Sequence, residues 1–158
     1  MASDVSYRLM RSGEEREVCA LVARVFDRFV APDFLPTGVE EFYRYAEPNA
    51  LAERREAGHT VLVAEEGSGV VGMLELRGLD HIAMLFVEGQ GRGIGKELVA
   101  RAVQLCSEHA PQVRGISVHA SRYAVPVYRK MGFQAVGEER TENGITYLPM
   151  VLRTRTGG

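Results

Sequence analysis

Between Thr60 and Val87 the hydrophobic period of this chain drops to two, and the turns within that stretch are too short for a helix. Thr60 to Ala64, Val70 to Leu76 and Ile82 to Val87 are short apolar runs, joined by Gly67-Ser68-Gly69 and Gly78-Leu79-Asp80. Connections this tight reverse the chain, so the runs are expected as an antiparallel meander. A glycine-rich turn follows, and then a helix from about Gly93 to His109, with Ile94, Leu98, Ala102 and Leu105 on one stripe. Gly115 to Ala120 reads as the next strand. Strand, helix and strand in that order make a right-handed crossover with the two strands parallel. The expected fold is therefore α/β: a mixed sheet, largely antiparallel with one parallel strand pair, flanked by helices.

The flanks fit that frame. Val5 to Met10 alternates weakly, and Ser12 with Glu15 has the spacing of a capping box. A helix is expected from there to about Val30, with Val18, Leu21, Val22, Val25 and Phe26 at helical intervals. Ala31 to Gly38 should turn, and Glu40 to Gly58 reads as one or two helices interrupted near Pro48. After the parallel strand come a short helix around Ala124 to Met131, with Gly132 as its cap, and a hairpin of Phe133–Glu138 and Ile145–Leu152 around Glu142-Asn143-Gly144. With 158 residues, one domain over residues 1–153 and a short tail over 154–158 are expected.

Nineteen Lys and Arg against 21 Asp and Glu give a net charge of −2, so no broad attraction to nucleic acid or an anionic membrane is implied. No apolar run approaches the ~20 residues of a bilayer span, and the first ten residues lack a signal-peptide core. The two cysteines, Cys19 and Cys106, have neither zinc spacing nor disulfide density and read as buried apolar residues. No metal is expected, and the default location is the cytoplasm.

Chemistry concentrates in Gln90 to Lys96, QGRGIGK, between a strand and a helix. Closely spaced glycines let several N–H groups converge, and a helix N-terminus adds its dipole, which suits a phosphate or pyrophosphate. The spacing fits neither a P-loop, since Lys96 is followed by Glu97, nor the dinucleotide pattern G-x-G-x-x-G. It does fit Q-x-x-G-x-G, as Gln90, Gly93 and Gly95. A second stretch, Ser121 to Phe133, reads SRYAVPVYRKMGF: a polar residue, an Ala, a Tyr four later, and Gly-Phe. Together and in this order the two stretches resemble the signatures of the GNAT superfamily of N-acetyltransferases. The chain departs from many members in having Ser121 where Asn is common, and only Glu88 and Gly89 between strand and loop.

The resemblance implies acetyl-CoA as co-substrate, held by Gln90, Gly91, Arg92, Gly93, Ile94, Gly95 and Lys96. The pantetheine arm would pair with main-chain groups of Leu85, Phe86 and Val87, near Ser121 and Tyr128. Tyr128 would be the general acid that protonates the departing thiolate. His81 and Glu75 are alternative bases for the acceptor amine; His81 is placed with Ala83, Leu85 and Val87 by strand alternation. His119 reads as a structural histidine, and His59 and His109 as surface turn residues. Phe34, Phe42, Tyr45 and Tyr147 are candidates for the acceptor pocket. The expected reaction is direct transfer of an acetyl group to a primary amine of a small molecule or peptide. The alternative is a non-catalytic acyl-CoA sensor. No nucleic-acid or membrane partner is expected, and a homodimer is left open.

Overall fold

A computed structural model describes residues 4–154. β1 (Val5–Leu9) is followed by α1 (Glu15–Val25), a π-helical turn (Phe26–Val30) and a 3₁₀ turn (Ala31–Asp33). Next come α2 (Pro36–Tyr45), α3 (Pro48–Glu56), β2 (Thr60–Glu66), β3 (Gly69–Arg77) and β4 (His81–Val87). The second half holds α4 (Ile94–His109), β5 (Gly115–Ala120), α5 (Val125–Lys130), β6 (Gln134–Ala135), β7 (Arg140–Glu142) and β8 (Ile145–Arg153).

The strand order is β1-β2-β3-β4-β5-β8-β6, with β7 pairing β8. β2, β3 and β4 form the antiparallel meander that their short glycine turns dictate, and β1 pairs antiparallel with β2 after the chain has passed through α1 to α3. β4 and β5 are the parallel pair, matched only at His81 with Ser117 and Ile82 with Val118. Beyond Ile82 the two strands part, which leaves the outer edge of Ala83–Val87 without a strand partner.

Each sheet face has its own core. On one face Leu74, Leu76, Ile82, Ile116 and Val118 pack beneath Ile94, Leu98 and Ala102 of α4. Contact there is close: a Cβ at Gly72 would meet Ile94 Cγ2 at 3.0 Å and Leu98 Cδ1 at 3.3 Å. On the other face Val63, Met73 and Met84 pack against Val18, Leu21, Val22 and Val25 of α1 and Leu51 of α3. Cys19 and Cys106 are free and buried, one in each core. Arg8 ties β1 to the start of α1 and to β2, donating to Glu14 at 2.7 and 2.8 Å and to Glu65 at 3.1 Å. That pairing holds the Glu14 carboxyl down at about 2.

Four local expectations need correction. Ser12 does not cap α1; the Glu15 carboxylate accepts from the Gly13 N–H at 2.9 Å, and Glu14 occupies the cap position. The first helix does not run unchanged to Val30 but widens into the π-helical turn at Phe26. The strand expected over 133–138 shrinks to Gln134–Ala135, and the hairpin partner of β8 is β7. Their turn is Asn143-Gly144, with φ of 53° and 80°, the type I′ geometry that suits Asn-Gly.

The fourth correction is a register shift in β4. Leu76 pairs Ile82 while Glu75 pairs Met84, so Ala83 is an extra residue. Strict alternation is broken there: Ile82 packs on the α4 face together with Leu85 and Val87. His81 is thereby separated from the face assigned to it by alternation.

Candidate active site

The parting of β4 and β5 opens a cavity of about 890 Å³, a size typical of small-molecule sites. At one end lies the glycine loop. Gly89, Gly91 and Gly93 all have left-handed φ, between 77° and 83°, and Gly93 is the residue from which α4 starts. Alternate left-handed residues turn successive N–H groups inward at the positive end of a helix dipole, as an anion cradle requires. Gln90 braces the loop by donating to the Val87 carbonyl at 2.8 Å. Arg92 pairs with Glu66 at 2.5 and 3.0 Å, and Glu88 with Arg24 at 2.9 and 3.0 Å, so both banks of the loop are tied down. Every residue of the loop from Gly89 to Lys96 lines the cavity.

Leu85, Phe86 and Val87 line it along the unpaired edge of β4. Across the gap stands α5, preceded by a turn in which the Ser121 Oγ accepts from the Ala124 N–H at 3.3 Å. Tyr128, one helical turn after Ala124, is only 4% exposed. Its ring packs edge-on against Phe133 at 5.0 Å, and it lines the cavity. Burial raises the phenol pKa, which keeps the proton on.

At the other end the floor is His81, His119 and Tyr147. The His81 and His119 rings meet edge-to-face at 5.1 Å, and His119 stacks on Tyr147 at 4.1 Å. Ser117 Oγ donates to the Asp80 carbonyl at 3.3 Å and stands 2.8 Å from His81 Nδ1. In that arrangement the hydroxyl accepts from Nδ1–H, and the His81 Nε2 keeps its lone pair. Burial, then the charge of Arg77, pushes His81 down to about 4, so the ring is neutral at pH 7.

Phe34, Phe42 and Tyr45 close the chamber from the helical side. Phe42 stacks on Phe26 at 4.0 Å and tilts against Phe86 at 5.6 Å. Tyr45 is held by Arg54, whose guanidinium lies 3.6 Å over its ring and donates to its carbonyl at 2.7 Å.

Glu75 is the residue the structure sets apart. It is 0% exposed and does not line the cavity. Arg54 donates to it at 2.8 and 3.2 Å, and His59 Nδ1 lies 2.7 Å away. A carboxylate so engaged is part of a buried structural ion pair with Arg54, and His59 is its neighbour rather than a surface turn residue. Sequence reasoning passed over Ser117, although the alternation of Ile116, Val118 and Ala120 places Ser117 on the His119 face. It also missed Phe29 and Tyr123, which stack at 4.4 Å from segments nearly a hundred residues apart. Among the described residues no helix is long and apolar enough to cross a membrane, and no cluster of three or more His, Cys, Asp or Glu could hold a metal ion.

The family described as acetyltransferase (GNAT) domain matches residues 30–154. No curated protein matches the chain. Among solved structures, a GCN5-related N-acetyltransferase from Rhodopseudomonas palustris is similar at 23% identity and a TM-score of 0.81, covering 97% of this chain and 98% of that one. PaiA N-acetyltransferase from Thermoplasma acidophilum, in complex with coenzyme A, has 14% identity and a TM-score of 0.77 over 95% and 99% of the two chains. Spermidine N-acetyltransferase from Vibrio cholerae, in complex with CoA and spermine, has 18% identity and a TM-score of 0.63 over 96% of each. At these identities the likeness is one of fold.

Proposed function

Because this chain belongs to the GNAT acetyltransferase family, we propose that it transfers the acetyl group of acetyl-CoA to a primary amine by direct attack. Acetyl-CoA supplies the thioester. The observation that carries the reading is the placement of Tyr128 and His81 along one cavity whose far end is the glycine loop. The loop from Gln90 to Lys96 offers main-chain donors to the pyrophosphate, and the unpaired edge of Leu85–Val87 offers a pantetheine arm the hydrogen bonds of an added strand.

The acceptor enters as the neutral amine and its nitrogen bonds the acetyl carbon. As the C–N bond forms, the nitrogen's protons become strongly acidic, and His81 Nε2 takes one of them. The C–S bond breaks, and Tyr128 gives its proton to the sulfur. A buried phenol is suited to this step, since it stays protonated until a thiolate appears beside it. Glu75 is not assigned the base, because its oxygens are engaged by Arg54 and His59 outside the cavity.

A free-thiol assay with acetyl-CoA and a panel of alkylamines, amino acids and peptides tests the reading. Thiol release that depends on an amine is expected. Tight acetyl-CoA binding with no amine-dependent release from any class would instead favour a non-catalytic acyl-CoA sensor.

A further inference from the structure

We propose that the acceptor chamber admits only amines carried on slender, unbranched stems, because the strap from Phe26 to Gly38 is fastened across it on both sides; the inference rests on the acyltransferase reading above. On one side the Leu35 N–H donates to the Gly144 carbonyl at 2.9 Å. Gly38 and Gly144 meet there backbone to backbone: a Cβ on either would overlap the main chain of the other. On the other side the Phe29 ring stacks on Tyr123 at 4.4 Å, and Asp33 faces Arg122 at 3.8 Å. Arg122 is in turn fixed by Glu139 at 2.6 and 2.9 Å.

These fastenings join opposite banks of the same cavity. Phe26 and Phe34 of the strap line it from above, Tyr123 stands on the α5 bank, and Ile145 and Tyr147 belong to the hairpin bank. The strap is helical over most of its length. A helix with its side chains is about 10–12 Å thick, more than a lysine side chain spans. An amine on the surface of a folded protein therefore cannot cross the strap to His81, whereas an alkylamine or the free end of an extended chain can pass beneath it.

The contact of two glycines supplies the test. Gly38→Ala keeps α2, since alanine is the better helix former, yet forces the strap away from the hairpin turn. A thiol is placed in the chamber by Ile145→Cys, at a half-buried cavity-lining position; the native Cys19 and Cys106 are both buried. Labelling is then followed with an ethylammonium methanethiosulfonate and with one bearing a branched, dendritic head. With glycine at 38, the slender reagent should react more than about tenfold faster, because the bulky one must wait for the strap to open. Gly38→Ala should bring the two rates together.

Equal rates with the strap intact, or a rate gap unchanged by Gly38→Ala in a folded variant, would overturn the proposal. If Gly38→Ala does not fold, Tyr123→Leu removes the stack on the opposite bank and is read the same way. In the thiol-release assay butylamine should be a substrate and the lysines of an intact folded protein should not; comparable rates for both would also overturn it. Labelling reads the strap without turnover. A chain that shows the rate gap but acetylates no amine would thus refute the acyltransferase reading and leave the enclosed chamber standing.

Discussion

Removing one oxygen from Tyr128 separates its two possible contributions. Tyr128→Phe keeps the contact with Phe133, so the fold and acetyl-CoA affinity should be unchanged, while kcat falls by about 10²–10⁴-fold, the usual worth of a general acid. Full kcat under conditions where chemistry is rate-limiting would leave Tyr128 a packing residue. His81 makes a different prediction. With its pKa pushed down to about 4, it is the free base over the ordinary pH range. Below the acceptor amine's own pKa kcat/KM should fall about tenfold per pH unit as the neutral amine is depleted, and near pH 4 the slope should steepen as His81 takes a proton; His81→Ala should lower the rate and remove that second break. The place of Tyr128 on the cavity was legible through a motif, and that of His81 only in part, since strict alternation assigned it to the face of Leu85 and Val87. The elimination of Glu75 was not. Its partners Arg54 and His59 lie 21 and 16 positions away on other elements, and nothing in the local pattern Met73-Leu74-Glu75-Leu76 shows that a guanidinium is waiting inside.

Elements, by contrast, were read well wherever turn chemistry and period agreed, and poorly where one residue changed the register. The meander and the crossover follow from glycine turns and apolar stripes, and they appear where expected. The extra residue Ala83 could not be seen, because a bulge is a property of how β3 and β4 pair and not of either strand alone. The same holds for the π-helical turn at Phe26, where Val25 and Phe26 keep a helical pattern through the change. Close approach of elements gives a prediction at this scale. Gly72→Ala would drive a methyl group against Ile94 and Leu98, and overpacking of this kind costs about 1–3 kcal/mol. The loss should appear as a lower urea midpoint. Since Ile94 opens α4 directly after Gly93, acetyl-CoA should also bind more weakly. At Gly93 the obstacle is conformational: φ is 77°, so Gly93→Val should cost about 1–3 kcal/mol of strain and abolish acetyl-CoA binding in a chain that still folds. Unchanged affinity in calorimetry would remove the loop from the site.

Across the whole molecule, acid should weaken the fold in two stages. His81 has a pKa of about 4, below its ordinary 6.5, so the unfolded chain binds a proton that the folded one refuses. Stability is therefore lost as pH falls from about 6.5 toward 4. Glu14, held at about 2 against an ordinary 4.5 by Arg8, contributes stability that is present above 4.5 and lost between 4.5 and 2. Urea midpoints measured against pH should show both declines, with the upper one smaller in His81→Ala, where His119 is still held down by burial, and the lower one smaller in Arg8→Ala, where Glu88 and Glu139 keep their arginine partners. A last consequence follows from the parallel pair of only two rungs. β1 to β4 and β5 to β8 are each laced internally, but His81–Ser117 and Ile82–Val118 are the whole backbone seam between them. Such a seam is a hinge with a two-rung pin, and in hydrogen exchange its amides should open well below the cost of global unfolding. A molecule lodged between the parted strands would bond to both leaves at once. Saturating coenzyme A should then slow exchange in β4 and in β5 together, because the bound molecule adds rungs to a seam that otherwise has two.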